Sequence, residues 1–187
     1  MPDIKFQRIF LHCSDSEFGS VLQINQWHIE RGWAGCGYHQ VIQNGFPTKD
    51  WYNKKNIIPF LEGAVEVGRL IDDDKYFDAG EIGAGVQGWN TGSFHICMIG
   101  TTYFSNKVLN TALEVVKYYC KLFELTYDNV LGHCEKDSGK TCPNINMVIF
   151  RNKLKNNELY GELVKLKVEA IVNNSVLTRF KNLFIKK

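Results

Sequence analysis

The chain has 187 residues, 44% of them apolar and 22% charged, with a formal net charge of +2. That length fits one domain with room for an appendage, and the balance is that of an ordinary soluble globular protein. Disorder, collagen and coiled coil are excluded. No apolar run is long enough to span a bilayer.

The opening Met1-Pro2-Asp3-Ile4-Lys5 has no apolar stretch behind a basic flank, so no secretory signal is expected. The expectation is therefore synthesis in a reducing cytoplasm, with any outside target reached by help or by lysis. In that compartment Cys13, Cys36, Cys97, Cys120, Cys134 and Cys142 read as free thiols, destined for metal binding or for burial. The charge is uneven. From Arg151 onward nine basic residues face three acidic ones, so residues 1–150 carry a net −4. A mildly acidic body argues against a nucleic-acid partner and leaves an anionic envelope surface open to the basic tail.

In chain order, Arg8-Ile9-Phe10-Leu11-His12 reads as a buried strand that ends at His12 and breaks into Ser14-Asp15-Ser16. Val21, Ile24, Trp27 and His28 recur at helical spacing, with Gly32 as the stop. Gly37 to Gln43 alternates as a strand would and runs into the turn signal Asn44-Gly45. A strand is expected around Ala64–Val67, then a loop rich in Asp and Gly from Asp72 to Gly92, then a strand over Phe94–Ile99. Ser105 caps a long helix whose face is Leu109, Leu113, Val116, Cys120 and Phe123. Asn129 to His133 is a short segment that delivers His133 to its end, and a helix follows around Asn146–Leu154. This order of elements predicts an α/β fold: a single domain over 1–154, a central mixed sheet flanked by helices. Residues 155–187 are expected as a basic, helical C-terminal extension.

Zinc takes imidazole nitrogen and thiolate sulfur in tetrahedral sites, and a catalytic site keeps its fourth position open. The loop from Gly132 to Pro143 offers both donor types in His133 and Cys142, with Gly139 available for the turn back. His12, at the end of a buried strand, is the candidate third ligand. Three ligands rather than four argue against a purely structural zinc site.

Several segments occur together in one order: Ile9-Phe10-Leu11-His12-Cys13-Ser14, Gly37-Tyr38-His39, Gly83-Ala84 before Gly88-Trp89-Asn90, Ile99-Gly100, and Gly132-His133 through Lys140-Thr141-Cys142-Pro143. Over residues 4 to 154 this pattern resembles the N-acetylmuramoyl-L-alanine amidase type 2 family, which includes phage amidase-type lysozymes and peptidoglycan recognition proteins. The resemblance implies a zinc enzyme that hydrolyses the amide between N-acetylmuramic acid and the L-alanine of the peptidoglycan stem, acting as a phage-type endolysin. It implies His12, His133 and Cys142 as zinc ligands, with Tyr38 and Lys140 as catalytic side chains. Peptidoglycan is then the partner, met in the envelope after release, and a monomer is expected. The alternatives are a non-catalytic peptidoglycan-binding module and an amidase of muropeptide recycling. Retention of Cys142 and Tyr38 speaks for an enzyme over a binding module.

Neighbouring residues read differently. Cys13 and Cys134 are expected beside the metal rather than on it, His39 beneath the site, and His28 and His95 as structural. Two departures from the family pattern stand out. Where the family usually reads Gly-Ala-His, this chain has Gly83-Ala84-Gly85, a change expected to bear on substrate positioning and not on metal binding. The stretch from Phe46 to Gly80 is longer than in compact members, and reads equally as a lid or as a decorated surface loop.

Overall fold

The computed structural model describes residues 4–72 and 74–161. Its elements follow from where the apolar residues fall. Ile4–Lys5 (β1) leads into Arg8–Cys13 (β2), whose last five residues are buried. A strand apolar on both faces belongs in the middle of a sheet covered on both sides. Val21–Glu30 (α1) starts at Ser20, whose hydroxyl accepts from the Gln23 N–H, and stops before Gly32 in a left-handed conformation, φ +81°. Gln40–Ile42 (β3), Lys49–Asn53 (α2), Val65–Val67 (β4) and Tyr76–Phe77 (β5) follow. Ser93–Met98 (β6) is buried throughout. Asn106–Leu122 (α3), Val130–Gly132 (β7) and Met147–Asn156 (α4) complete the set.

Among the described residues the strands β4-β3-β6-β2-β7 form one sheet, and β1 pairs with β5 in a small antiparallel ribbon. Within the larger sheet only the β3–β4 pair is antiparallel. Alternation sorts the side chains into two layers. Ile9, Leu11, Phe94, Ile96 and Met98 enter a large core with Leu109, Leu113, Val116, Phe150 and Leu154 of α3 and α4. Val41, Cys97 and Ile99 make a smaller core with Ile24 of α1. His12 pairs with Cys97 and so faces that second, thinner layer, as Tyr38 does, whereas Cys142 packs against the larger core.

The helix face expected on α3 is the buried one, and Ser105 accepts from the Val108 N–H as its cap. The expected strand over Gly37–Gln43 is ordered only at Gln40–Ile42. Ahead of it the backbone pairs irregularly: the Gly37 N–H donates to His28 Nδ1 and the Ala84 N–H to the Gly37 carbonyl. The β1–β5 ribbon has no counterpart in the sequence reading, because two-residue strands carry no periodicity. Helix α4 runs through the domain boundary expected at 154, and Leu159 and Tyr160 pack on the larger core. The rest of the expected basic extension, from 162 on, lies outside the described residues. No helix among the described residues is long and apolar enough to cross a membrane.

Candidate metal and active site

β2 and β7 are parallel neighbours, so both deliver their following residues to the same edge of the sheet. The pairing Leu11↔Gly132 sets His12 beside His133, with ring centroids 5.1 Å apart. Ligands of open α/β sheets gather at the carboxyl ends of the strands, and these two imidazoles sit there. Gly132 is required by close approach: a Cβ at that position would lie 2.8 Å from Pro143 Cδ and 2.9 Å from Met147 Cγ. The turn carrying His133 is clamped from behind. Glu135 accepts from the Gly132 N–H at 2.7 Å and from both terminal nitrogens of Arg151 at 2.9 Å. The loop then returns Cys142 to the edge, its carbonyl accepting from the Cys134 N–H at 2.8 Å.

His12, His133 and Cys142 each offer a ligand atom, and these atoms all lie within 4.8 Å of one another. His12 presents Nδ1, which is 3.8 Å from Cys142 Sγ. Bond lengths of about 2.0 Å to nitrogen and 2.3 Å to sulfur place tetrahedral zinc ligands about 3.3–3.8 Å apart. A slight contraction of this triad would therefore enclose a zinc ion, and the donor set fits it. Burial holds the His12 imidazole well below its ordinary pKa, reinforced by His133 and His39, so it is neutral with a lone pair to give. His133 is also lowered by burial, with Asp137 opposing. The Cys142 thiol is pushed up by its contact with the Cys13 thiol and by burial. A cation between the ligands would reverse that and ionise it, and the Cys13 N–H already donates to the sulfur at 3.2 Å.

His133 and Cys142 line a cleft of about 820 Å³, with His12 buried behind them, and its walls include Arg31, Trp33, Tyr38, Gln87, Asp137 and Lys140. Tyr38 lies with its ring centroid 5.0 Å from that of His12. Burial, with the surrounding thiols, pushes its phenol well up, so Tyr38 enters chemistry as a neutral O–H. Lys140 is exposed at the rim, and its charge is felt at His133. Asp137 Oδ2 stands 3.8 Å from His133 Nε2. A second cleft of about 870 Å³ beside α3, lined by Tyr118, Val115 and Leu159, holds no metal-ligating triad among the described residues.

The neighbours sort themselves by their bonds. Cys134 is not within the triad. Asn144 Nδ2 lies 3.5 Å from Cys13 Sγ and donates to the Thr101 carbonyl, tying the Cys142 loop to the strand. His39 lies beneath: its Nδ1 accepts from the His95 N–H and its Nε2 lies 2.8 Å from the Glu81 carbonyl. His28 accepts from the Gly37 N–H, packs on Trp33 and Tyr38, and lines the cleft, a placement the sequence reading did not give it. His95 was expected to be structural, yet its Nδ1 is 3.0 Å from His12 Nε2. Strand register alone could have signalled this, and register is not visible in one sequence. Gly85 lines the cleft, and a Cβ there would lie 2.8 Å from His12 Nε2, so the position also abuts a ligand-candidate imidazole. No described residue of the 46–80 stretch lines the cleft, which favours surface decoration over a lid.

A mixed sheet thus carries a His-His-Cys cluster with the donor set for a metal ion beside an open cleft, and comparison with known proteins gives the chain a family. Residues 3–145 match the N-acetylmuramoyl-L-alanine amidase family, and the chain belongs to it. It is 31% identical over 96 residues to an endolysin of Klebsiella phage KP32, covering 50% of this chain and 47% of the relative. It is 32% identical over 95 residues to an endolysin of Escherichia phage T7, covering 49% and 46% respectively. The chain thus matches about half the length of these relatives. Among solved structures, the fold is shared with N-acetylmuramoyl-L-alanine amidase LysC from Clostridium intestinale (TM-score 0.61, 20% identity, 83% of this chain and 87% of that one). It is also shared with the Ph2119 endolysin from a Thermus scotoductus bacteriophage (TM-score 0.54, 18% identity, covering 79% and 83%).

Proposed function

We propose that the protein is a zinc-dependent N-acetylmuramoyl-L-alanine amidase of the endolysin type. Its reaction is hydrolysis of the amide joining the lactyl group of N-acetylmuramic acid to the L-alanine of the stem peptide, in the cell wall after release from the cytoplasm. The observation that carries this reading is the convergence of His12, His133 and Cys142, the last two lining an open cleft, in a chain of this family.

In this reading His12 Nδ1, the His133 imidazole and the Cys142 thiolate hold the metal. Zinc bound there would polarise an amide carbonyl and lower the pKa of a water molecule to about 7. The remaining work falls to the chain. The Lys140 ammonium, exposed in the cleft wall, stabilises negative charge developing on the amide oxygen. Tyr38, neutral and packed against His12, orients the attacking water through its hydroxyl. Trp33 and His28 wall the cleft beside Tyr38 and limit the water around the reacting amide.

The test is digestion of purified peptidoglycan by zinc-replete protein, read by mass spectrometry. The expected products are free stem peptides beginning in L-alanine and glycan strands with intact lactyl groups. Binding to peptidoglycan without release of stem peptides would instead make the chain a recognition module.

A further inference from the structure

His95 is fully buried beneath the cleft, and its neighbours fix its ring. It is stacked near-parallel on Phe10 (5.6 Å, 11°) and on His39 (5.6 Å, 7°). Its edge fills the space above two glycines: a Cβ at Gly83 would lie 2.5 Å from His95 Cδ2, and one at Gly85 would be closer still to His95 Nδ1. The register Phe10↔His95 and His12↔Cys97 puts His95 and His12 on the same sheet face, one diagonal apart. His95 Nδ1 and His12 Nε2 are 3.0 Å apart.

A neutral imidazole carries one N–H and one lone pair. His12 faces Cys142 with Nδ1, so it can give that lone pair to a cation only when its hydrogen is on Nε2. A buried Nε2–H needs an acceptor. His39 is not available, because both its nitrogens are engaged by the His95 N–H and the Glu81 carbonyl. His95 Nδ1 is in place for that bond, while its own Nε2 is buried with no partner among the described residues. Accepting at Nδ1 places the His95 hydrogen on Nε2, so this arrangement leaves one buried N–H of His95 unpaired in order to pair the N–H of His12.

We infer that His95 is a positioning residue for the ligand His12: its Nδ1 accepts the His12 Nε2–H and holds the tautomer whose Nδ1 faces the metal. Gly85 is the companion of this arrangement. A side chain at 85 and a ring at 95 compete for one volume, so the His95 ring in this position requires a glycine at 85. Metal ligands ordinarily have their second nitrogen bound to a carboxylate, carbonyl or water. Here a second imidazole does that work, and the inference rests on reading the triad as a zinc site.

The experiment measures zinc affinity by competition with a chromophoric chelator, and the His12 tautomer by ¹⁵N NMR, in wild type, His95→Leu, His95→Asn and Gly85→Ala. His95→Leu fills the volume without an acceptor and should weaken zinc binding about 10- to 100-fold. His95→Asn, whose amide oxygen takes the place of ring Nδ1, should recover most of it, and zinc-loaded wild type should carry its hydrogen on His12 Nε2. Equal affinity in wild type and His95→Leu overturns the inference, as does an Asn variant as weak as Leu. Should His95→Leu fail to fold, Gly85→Ala decides: pressing the two rings apart weakens zinc binding, and unchanged binding overturns the inference. Wild-type protein that binds no zinc overturns the metal reading itself, a separate result.

Discussion

Arg151→Ala probes how helix α4 holds the metal edge. The Arg151 guanidinium donates to the Val130 carbonyl and to both Glu135 oxygens, each at 2.9 Å, and Glu135 in turn accepts from the Gly132 N–H. Hydrogen bonds to charged groups contribute about 1.5–3 kcal/mol each when enclosed. With 32% of the Glu135 side chain exposed, solvent screening cuts the whole clamp to about 2 kcal/mol. For a chain of this size that corresponds to a loss of about 4–8 °C in melting temperature, read by circular dichroism at pH 7. The pH dependence gives a second check. Burial raises the Glu135 pKa, but the Arg151 bonds and the Gly132 N–H outweigh it and leave the carboxyl below its ordinary value. A lowered folded pKa means that the contribution is complete above about pH 4.3, the unfolded glutamate value, and is lost as pH falls through the folded value. The gap between wild type and variant should therefore shrink below that point. A melting temperature unchanged at pH 7, or a gap that persists undiminished at low pH, would refute the clamp.

Other perturbations separate ligand, helper and scaffold. Cys142→Ser should remove zinc and activity together, measured by metal analysis and stem-peptide release; full metal retention would point to Cys134 as the better ligand. Lys140→Ala should keep zinc and lose rate by about 10²–10³ in kcat, the cost of one charge-stabilising donor. Gly132→Ala forces a Cβ against Pro143 and Met147 and should cost about 1–3 kcal/mol by urea unfolding. Ser105→Ala removes the cap of α3 and should cost about 1 kcal/mol without touching zinc affinity.

What the sequence revealed depended on the length scale of each signal. Helix α3 was legible because its capping serine precedes four core positions, Leu109, Leu113, Val116 and Cys120, that recur at one period within its 17 residues. β2 and β6 were legible because strands buried on both faces are continuous apolar runs. The triad was found through donor chemistry and an ordered motif, since His12 is separated from Cys142 by most of the domain. The His12–His95 bond was hidden because it depends on the β2–β6 register, which a single sequence does not state. For the same reason the sequence could not show that the nearest atoms to a side chain at Gly85 would belong to two buried imidazoles, His12 and His95.

The central claim is that one metal ion, held by His12, His133 and Cys142, drives amide hydrolysis. Its most direct test is reconstitution: strip the protein with a chelator, add zinc in measured steps, and follow release of L-alanine-ended stem peptides from peptidoglycan. The account predicts no release from stripped protein and full release at one equivalent of zinc, with none at any zinc level in Cys142→Ser. Release from stripped protein at the reconstituted rate would contradict it.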